Sequence, residues 1–160
     1  TMWLNLTQKG LSYEEIIEEI DKRNHRSNNL ILFNMPESNA TSSEQRKNDD
    51  VLRCLNTIIP DTNKDNSPVL SCVRLGTYNN AKVRPVKIMF TSPQKALESI
   101  KAYRRVGNLY LNRDLTPRQQ NMSYLIRFEF KTRKEKGEND IVLKYRRGVP
   151  EIVKKETKNA

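Results

Sequence analysis

Apolar positions along the chain switch between a helical spacing and a two-residue alternation. Ser12-Tyr13-Glu14-Glu15 has the form of a capping box, and Ile16, Ile17 and Ile20 follow among Glu14, Glu15, Glu18 and Glu19, which predicts a short amphipathic helix. Its stripe fades at Asn24 and Ser27, so it is expected to pack on its own domain, with a coiled-coil stub as the alternative. Leu30, Ile31, Leu32 and Phe33, closed by Asn34-Met35-Pro36-Glu37, read as a buried strand leading into a turn. Residues 41–43 offer helix caps before Glu44, and Val51, Leu52, Leu55, Ile58 and Ile59 recur at helical spacing up to Pro60. Residues 68–75 alternate loosely to Gly76, and Val86, Ile88 and Phe90 alternate with Lys87 and Met89, giving two more strands. Ser92-Pro93 opens another helix, with Ala96, Leu97, Ile100 and Tyr103 as its buried face. Leu109-Tyr110-Leu111 forms a short fourth strand.

From residue 29 to 114 the order is thus strand, helix, strand, strand, helix, strand. An α+β fold is expected, with the split βαβ arrangement of a ferredoxin-like (RRM-like) sheet covered by helices on one face and open on the other. Thr116-Pro117-Arg118-Gln119 starts a further helix, in which Met122, Ile126 and Phe130, with Leu125 alongside, mark the apolar face up to Gly137. Ile126, Phe128 and Phe130 also alternate with charged residues, so a strand is the competing reading there. Residues 141–145 and 151–154 flank Arg146-Arg147-Gly148-Val149-Pro150 as a hairpin. The expected organisation is an N-terminal helix over 1–28, an RRM-like domain over 29–115 and a small basic helix-plus-hairpin domain over 116–160.

Charge then narrows the chemistry. The chain of 160 residues carries 29 Lys and Arg against 19 Asp and Glu, a formal charge of +10 that favours a polyanionic partner. The excess is directional: residues 1–28 hold four basic and five acidic side chains, residues 29–116 thirteen and eight, and residues 117–160 twelve and six. One His and two Cys leave no ligand set for a zinc finger and no base for a His-dependent triad. His25 lies in a polar stretch and is assigned no chemistry, and Cys54 and Cys72 are expected as buried reduced thiols, in keeping with a reducing compartment. No phosphate-cradling Gly-rich motif occurs, and Asp49-Asp50 is expected to be solvated rather than a magnesium site. No run is long and apolar enough for a membrane span. No enzymatic activity, cofactor or metal is expected.

Basic residues interleaved with aromatics are the stronger signal. Arg127, Lys131 and Lys134 fall at i, i+4 and i+7, a basic stripe opposite Met122, Ile126 and Phe130 on the predicted helix. Arg104 and Arg105 follow the second helix of the sheet domain, while Arg113, Arg118 and the cluster Lys144-Tyr145-Arg146-Arg147 lie near element ends, where backbone phosphates are reachable. These groups are expected to gather in one cleft between two lobes. The usual RRM base-stacking aromatics are not matched: Ile31 occupies one such position, and Pro85 and Lys87 occupy two others. Phe33 facing outwards and Lys87 meeting phosphate remain compatible with binding, which is expected to be backbone-dominated and weakly sequence-specific.

The segments Arg26-Ser27-Asn28-Asn29-Leu30-Ile31-Leu32-Phe33-Asn34-Met35-Pro36-Glu37-Ser38, Arg74-Leu75-Gly76, Arg84-Pro85-Val86-Lys87-Ile88-Met89-Phe90 and Asp114-Leu115-Thr116-Pro117-Arg118 occur in this order. Together they resemble the first-open-reading-frame protein of LINE-type non-LTR retrotransposons over residues 14–155. The closing segment Tyr145-Arg146-Arg147-Gly148-Val149-Pro150-Glu151-Ile152-Val153 is also similar to the carboxyl-terminal part of baculoviral few-polyhedra proteins and their insect transposon-derived relatives. The resemblance implies a nonenzymatic protein with a coiled coil, a noncanonical RRM and a small carboxyl-terminal domain. It implies binding to single-stranded RNA or DNA, coating of element RNA in a cytoplasmic or nuclear ribonucleoprotein, and nucleic-acid chaperone activity. Arg104-Arg105, Arg118 and Tyr145-Arg146-Arg147 fall in segments matching the family's basic RNA-contacting surface. Self-association would run through the N-terminal helix, of which only the stub around Ile16 to Ile20 is present; the baculoviral likeness implies instead a protein-interaction or assembly module.

Overall fold

The computed structural model describes residues 10–58, 67–146 and 148–157. The protein is a mixed α+β chain of two compact units, Thr1–Asp114 and Leu115–Ala160. In the first unit, helix α1 (Tyr13–Arg26) precedes strand β1 (Asn29–Phe33), helix α2 (Ser43–Ile58), strands β2 (Val69–Arg74) and β3 (Val86–Phe90), helix α3 (Pro93–Ala102) and strand β4 (Tyr110–Arg113). The second contains helix α4 (Pro117–Glu135) and strands β5 (Ile141–Arg146) and β6 (Val149–Lys154). Ile59 and Pro60, and with them the expected end of the second helix, lie outside the described residues.

The four strands of the first unit order as β2-β3-β1-β4, and every neighbouring pair is antiparallel. Strand alternation decides the faces. Val86, Ile88 and Phe90 of β3 join Leu30, Leu32, Cys72 and Leu111 in a core with Cys54 and Ile58 of α2 and Ala96 of α3. The opposite face carries Val73, Lys87, Ile31 and Asn112, which are paired across the four strands. Asn34 takes the left-handed conformation at φ 69°, tolerable for Asn, and its side-chain amide donates to the Asn108 carbonyl at 2.8 Å. That bond ties the end of β1 to the chain entering β4.

Helix α2 departs from expectation in both its apolar and its acidic residues. Its buried positions are Asp50, Cys54 and Ile58, whereas Leu52 is exposed. The register is turned because Asp50 must meet Arg74, whose side chain lies on the helix-covered face of β2 and is only 5% exposed. Arg74 donates to Asp50 through Nε at 3.0 Å and Nη2 at 2.8 Å, and to the carbonyls of Met35, Pro36 and Arg84. The solvated role expected for Asp49-Asp50 therefore does not hold: Asp50 is a buried counter-ion, and Asp49 accepts from the buried Ser38 hydroxyl. Glu37 extends the network, lying 3.6 Å from Arg74 and accepting from Arg84 Nε at 2.8 Å.

Cys54 and Cys72 are buried and free, as expected. The hydrogen bond with Cys72, reinforced by burial, pushes the Cys54 thiol up and keeps it protonated. Ser12 and Ser92 cap α1 and α3 as the sequence predicts. Helix α1, however, does not pack its stripe: none of its residues is buried, and Ile16, Ile17 and Ile20 are all exposed. Its attachment is at the carboxyl end, where Arg26 and the Asn29 amide both reach Asp114. Among the described residues, no helix is long and apolar enough to cross a membrane.

Removing one member of a buried ion pair strands the other. Asp50→Ala should lower unfolding stability by about 3–5 kcal/mol in urea titrations, and Leu52→Ala should cost far less. The hydrogen bond from Arg84 holds the Glu37 carboxyl below its ordinary value of 4.5. A depressed carboxylate contributes stability that is complete above the unfolded value and lost as pH falls through the folded one. Glu37→Gln should therefore be less stable at neutral pH and lose less on acidification below 4.5, measured as the urea midpoint against pH.

Candidate nucleic-acid interface

Helix α4 is the longest element among the described residues and starts where the sequence predicts. The Thr116 hydroxyl accepts from the Gln119 backbone at 3.2 Å, and the Gln119 side chain accepts from the Thr116 backbone at 2.9 Å, with Pro117 at the first helical position. The helix runs unbroken through residues 126–130, so the competing strand does not form. Its buried face differs from the expected one. Gln119 and Ser123 are buried, Ile126 and Phe130 follow half-buried, and Met122 is 38% exposed. Apolar residues occur all round α4, so periodicity alone could not choose the face. The choice falls to packing against the hairpin, whose Ile141 and Pro150 are fully buried.

The outward face of α4 holds Tyr124, Arg127, Phe128 and Lys131, all exposed. Arg127 and Lys131 are where the sequence placed them. Tyr124 and Phe128 were not singled out, although their four-residue separation beside Arg127 and Lys131 was a readable signal. Lys134 sits at the border of the buried face, its Nζ 5.5 Å from the Phe130 ring and 3.4 Å from the Asn139 carbonyl. Arg118 is half-buried in the first turn.

The Lys144-Tyr145-Arg146 cluster is split by strand alternation. Tyr145 pairs with Pro150 on the hairpin face that meets α4, and the Arg127 guanidinium lies 6.0 Å from its ring. Lys144 and Arg146 project to the other face, each near an acid: Lys144 is 3.8 Å from Glu156 and Arg146 is 3.9 Å from Glu151. Arg147 lies outside the described residues.

In the sheet unit, Lys87 is half-buried on the face away from the helices, directly across from Ile31. Phe33 pairs with Tyr110 on that same face, which makes Tyr110 the aromatic the sheet displays there. The Arg105 guanidinium lies 3.8 Å from the Tyr110 ring centroid, a stacked cation–π contact. Arg104, also exposed, donates to the carbonyls of Lys101 and Tyr103. Arg113 lies across from Leu30 and so on the helix-covered side, apart from Lys87.

Acidic side chains are distributed unevenly over the cations. Arg23, Arg26, Arg74, Arg84 and Arg133 all have carboxylate partners. Among the described residues, Lys87, Arg104, Arg105, Arg113, Arg118, Arg127, Lys131 and Lys134 enter no ion pair. These cations occur in both units, and each unit carries its own set. Among the described residues, no group of three or more His, Cys, Asp or Glu is placed to hold a metal.

No family model and no curated protein matches the chain.

The capping box sets where α4 begins and hence the rotational position of its outward face. Replacing Thr116 by Val should cost about 1 kcal/mol and speed amide exchange in the first turn of α4, read by hydrogen exchange, while the core amides of β3 keep their protection.

Proposed function

We propose that the protein is a nonenzymatic binder of single-stranded RNA or DNA, of the kind encoded by the first open reading frame of LINE-type retrotransposons. The observation that carries this reading is the uneven pairing of charge. Acids neutralise the arginines that build the fold, while eight candidate cations in two units keep no carboxylate partner among the described residues. Such cations attract phosphates and release counter-ions when they meet them. Exposed aromatics beside them, Tyr110 in one unit and Tyr124, Phe128 and Tyr145 in the other, add surfaces on which unpaired bases stack.

The sheet supports the same reading. Its order β2-β3-β1-β4, with a helix following β1 and another following β3, supports reading this unit as ferredoxin-like, the frame used by RRM domains. Only Tyr110 among its outward aromatics is well exposed, and Arg105 already lies on that ring, so sequence readout by the sheet is weak and phosphate contacts dominate. On this reading the protein works within a cytoplasmic or nuclear ribonucleoprotein.

A rival reading, an assembly module of the baculoviral few-polyhedra type, is favoured by one observation. Helix α1 exposes Ile16, Ile17 and Ile20, an apolar stripe suited to a protein partner or to self-association. Sedimentation of the protein and of an Ile16→Asp, Ile20→Asp variant separates the two. Assembly through α1 predicts loss of the larger species, and nucleic-acid binding through the other surfaces predicts unchanged affinity of the monomer.

Filter binding to short single strands at several ionic strengths tests the main reading. Affinity should fall linearly with salt on logarithmic axes, and Arg127→Ala with Lys131→Ala should reduce the slope by about 1.4, roughly 0.7 for each lost phosphate contact on a single strand. Lys144→Ala with Arg146→Ala should reduce it less, because each cation already has an acid close by. An affinity indifferent to salt would refute the reading.

A further inference from the structure

We propose that the outward face of α4 is a base-stacking platform on which Tyr124 and Phe128 hold successive unpaired bases while Arg127 and Lys131 hold the phosphates. This deepens the single-strand reading above and rests on it. Residues four apart on a helix stand one above the other, so Tyr124 and Phe128 form one ridge and Arg127 and Lys131 form the next, side by side. At about 1.5 Å per residue, each ridge spaces its two side chains by about 6 Å along the axis.

Exposure makes the pairing informative. Tyr124 is 64% exposed and Phe128 is 47% exposed, although large aromatics gain most from burial. An apolar partner surface would be poorly served here, because the adjoining ridge is cationic and Arg127 and Lys131 have no acid to neutralise them among the described residues. A polynucleotide matches both ridges at once, since it presents π-faces and anionic groups in regular succession. Tyr145, 58% exposed and reached by Arg127 from α4, extends the aromatic surface towards the hairpin. Thr132 continues the aromatic ridge, and Glu135 lies one turn beyond Lys131 along the cationic ridge and marks its anionic end.

A duplex keeps its bases stacked on one another and offers this ridge nothing. The platform therefore predicts a preference for single strands that depends on Tyr124 and Phe128, whereas the salt slope depends on Arg127 and Lys131. The test measures binding of short oligouridylate, oligodeoxythymidylate and duplex DNA by the intact chain and by Tyr124→Ala, Phe128→Ala, Tyr124→Phe and Phe128→Tyr. Each Ala variant should lose roughly five- to hundred-fold in affinity for both single strands, as removal of a stacked base partner does, with an unchanged salt slope and little change on duplex. The Phe and Tyr exchanges should keep wild-type affinity, which separates stacking from any loss of fold, and thermal melts of the exposed-site variants should match the parent. Ala variants that bind both single strands as tightly as the parent, with the parent's salt-dependent binding intact, would overturn the platform alone. Absence of salt-dependent binding in the parent would overturn the underlying reading as well. A loss confined to oligouridylate would show that the platform takes RNA only.

Discussion

Arg74 is the constraint around which the sheet unit is organised. A guanidinium taken out of water must have its charge balanced and its donors satisfied, and the chain supplies both from three separate segments. Asp50 comes from α2, the carbonyls of Met35 and Pro36 come from the turn after β1, and the Arg84 carbonyl comes from the chain entering β3. Satisfying this one residue fixes the rotation of α2, the path of the turn and the closure of the connection between β2 and β3. Cys54, one turn beyond Asp50, consequently faces the core, and Leu52 is left outside.

The division of labour among the arginines follows from that arrangement. Glu37 and Asp50 are consumed within the fold, Asp114 is engaged at the foot of α1, and Glu129 and Glu138 flank Arg133. A chain with such an excess of basic residues must leave cations without partners, and the structure determines which ones. Lys87 is on the open sheet face, Arg104 and Arg105 in the turn after α3, and Arg127 and Lys131 on the outward side of α4, while Arg113, Arg118 and Lys134 are half-buried. The same pattern argues against reading every basic residue of the carboxyl-terminal region alike, because Lys144 and Arg146 sit beside acids that Arg127 and Lys131 lack.

Where local rules act, the sequence was legible. The capping residues Ser12, Ser92 and Thr116 mark true helix starts, and the strict alternation of β3 identifies Val86, Ile88 and Phe90 as core. Where tertiary partners decide, it was not. Nothing near Asp50 in the sequence announces Arg74, twenty-four residues away, so a buried counter-ion reads as an ordinary surface acid. Met122 was expected inside and lies half outside because α4 is apolar on several sides, and only the hairpin selects Gln119 and Ser123 as its contacts. The same ambiguity hid Tyr124 and Phe128, which look like core residues until the buried face is known. The cluster at Lys144-Tyr145-Arg146 was visible as composition but not as geometry, since alternation in β5 turns its members to opposite sides.

If the protein binds single strands as proposed, the stacked pair of Arg105 and Tyr110 bears on how the sheet would be occupied. The ring's partner is tethered five residues away in the same chain, so it competes with any incoming base at a local concentration that dilution does not change. A base that lands on Tyr110 gains only the difference between its own stacking and that of the guanidinium it evicts. The evicted cation is at the same moment freed to meet the phosphate arriving with the base. On that reading, occupancy of the sheet would be an exchange of neighbours rather than the covering of a bare ring.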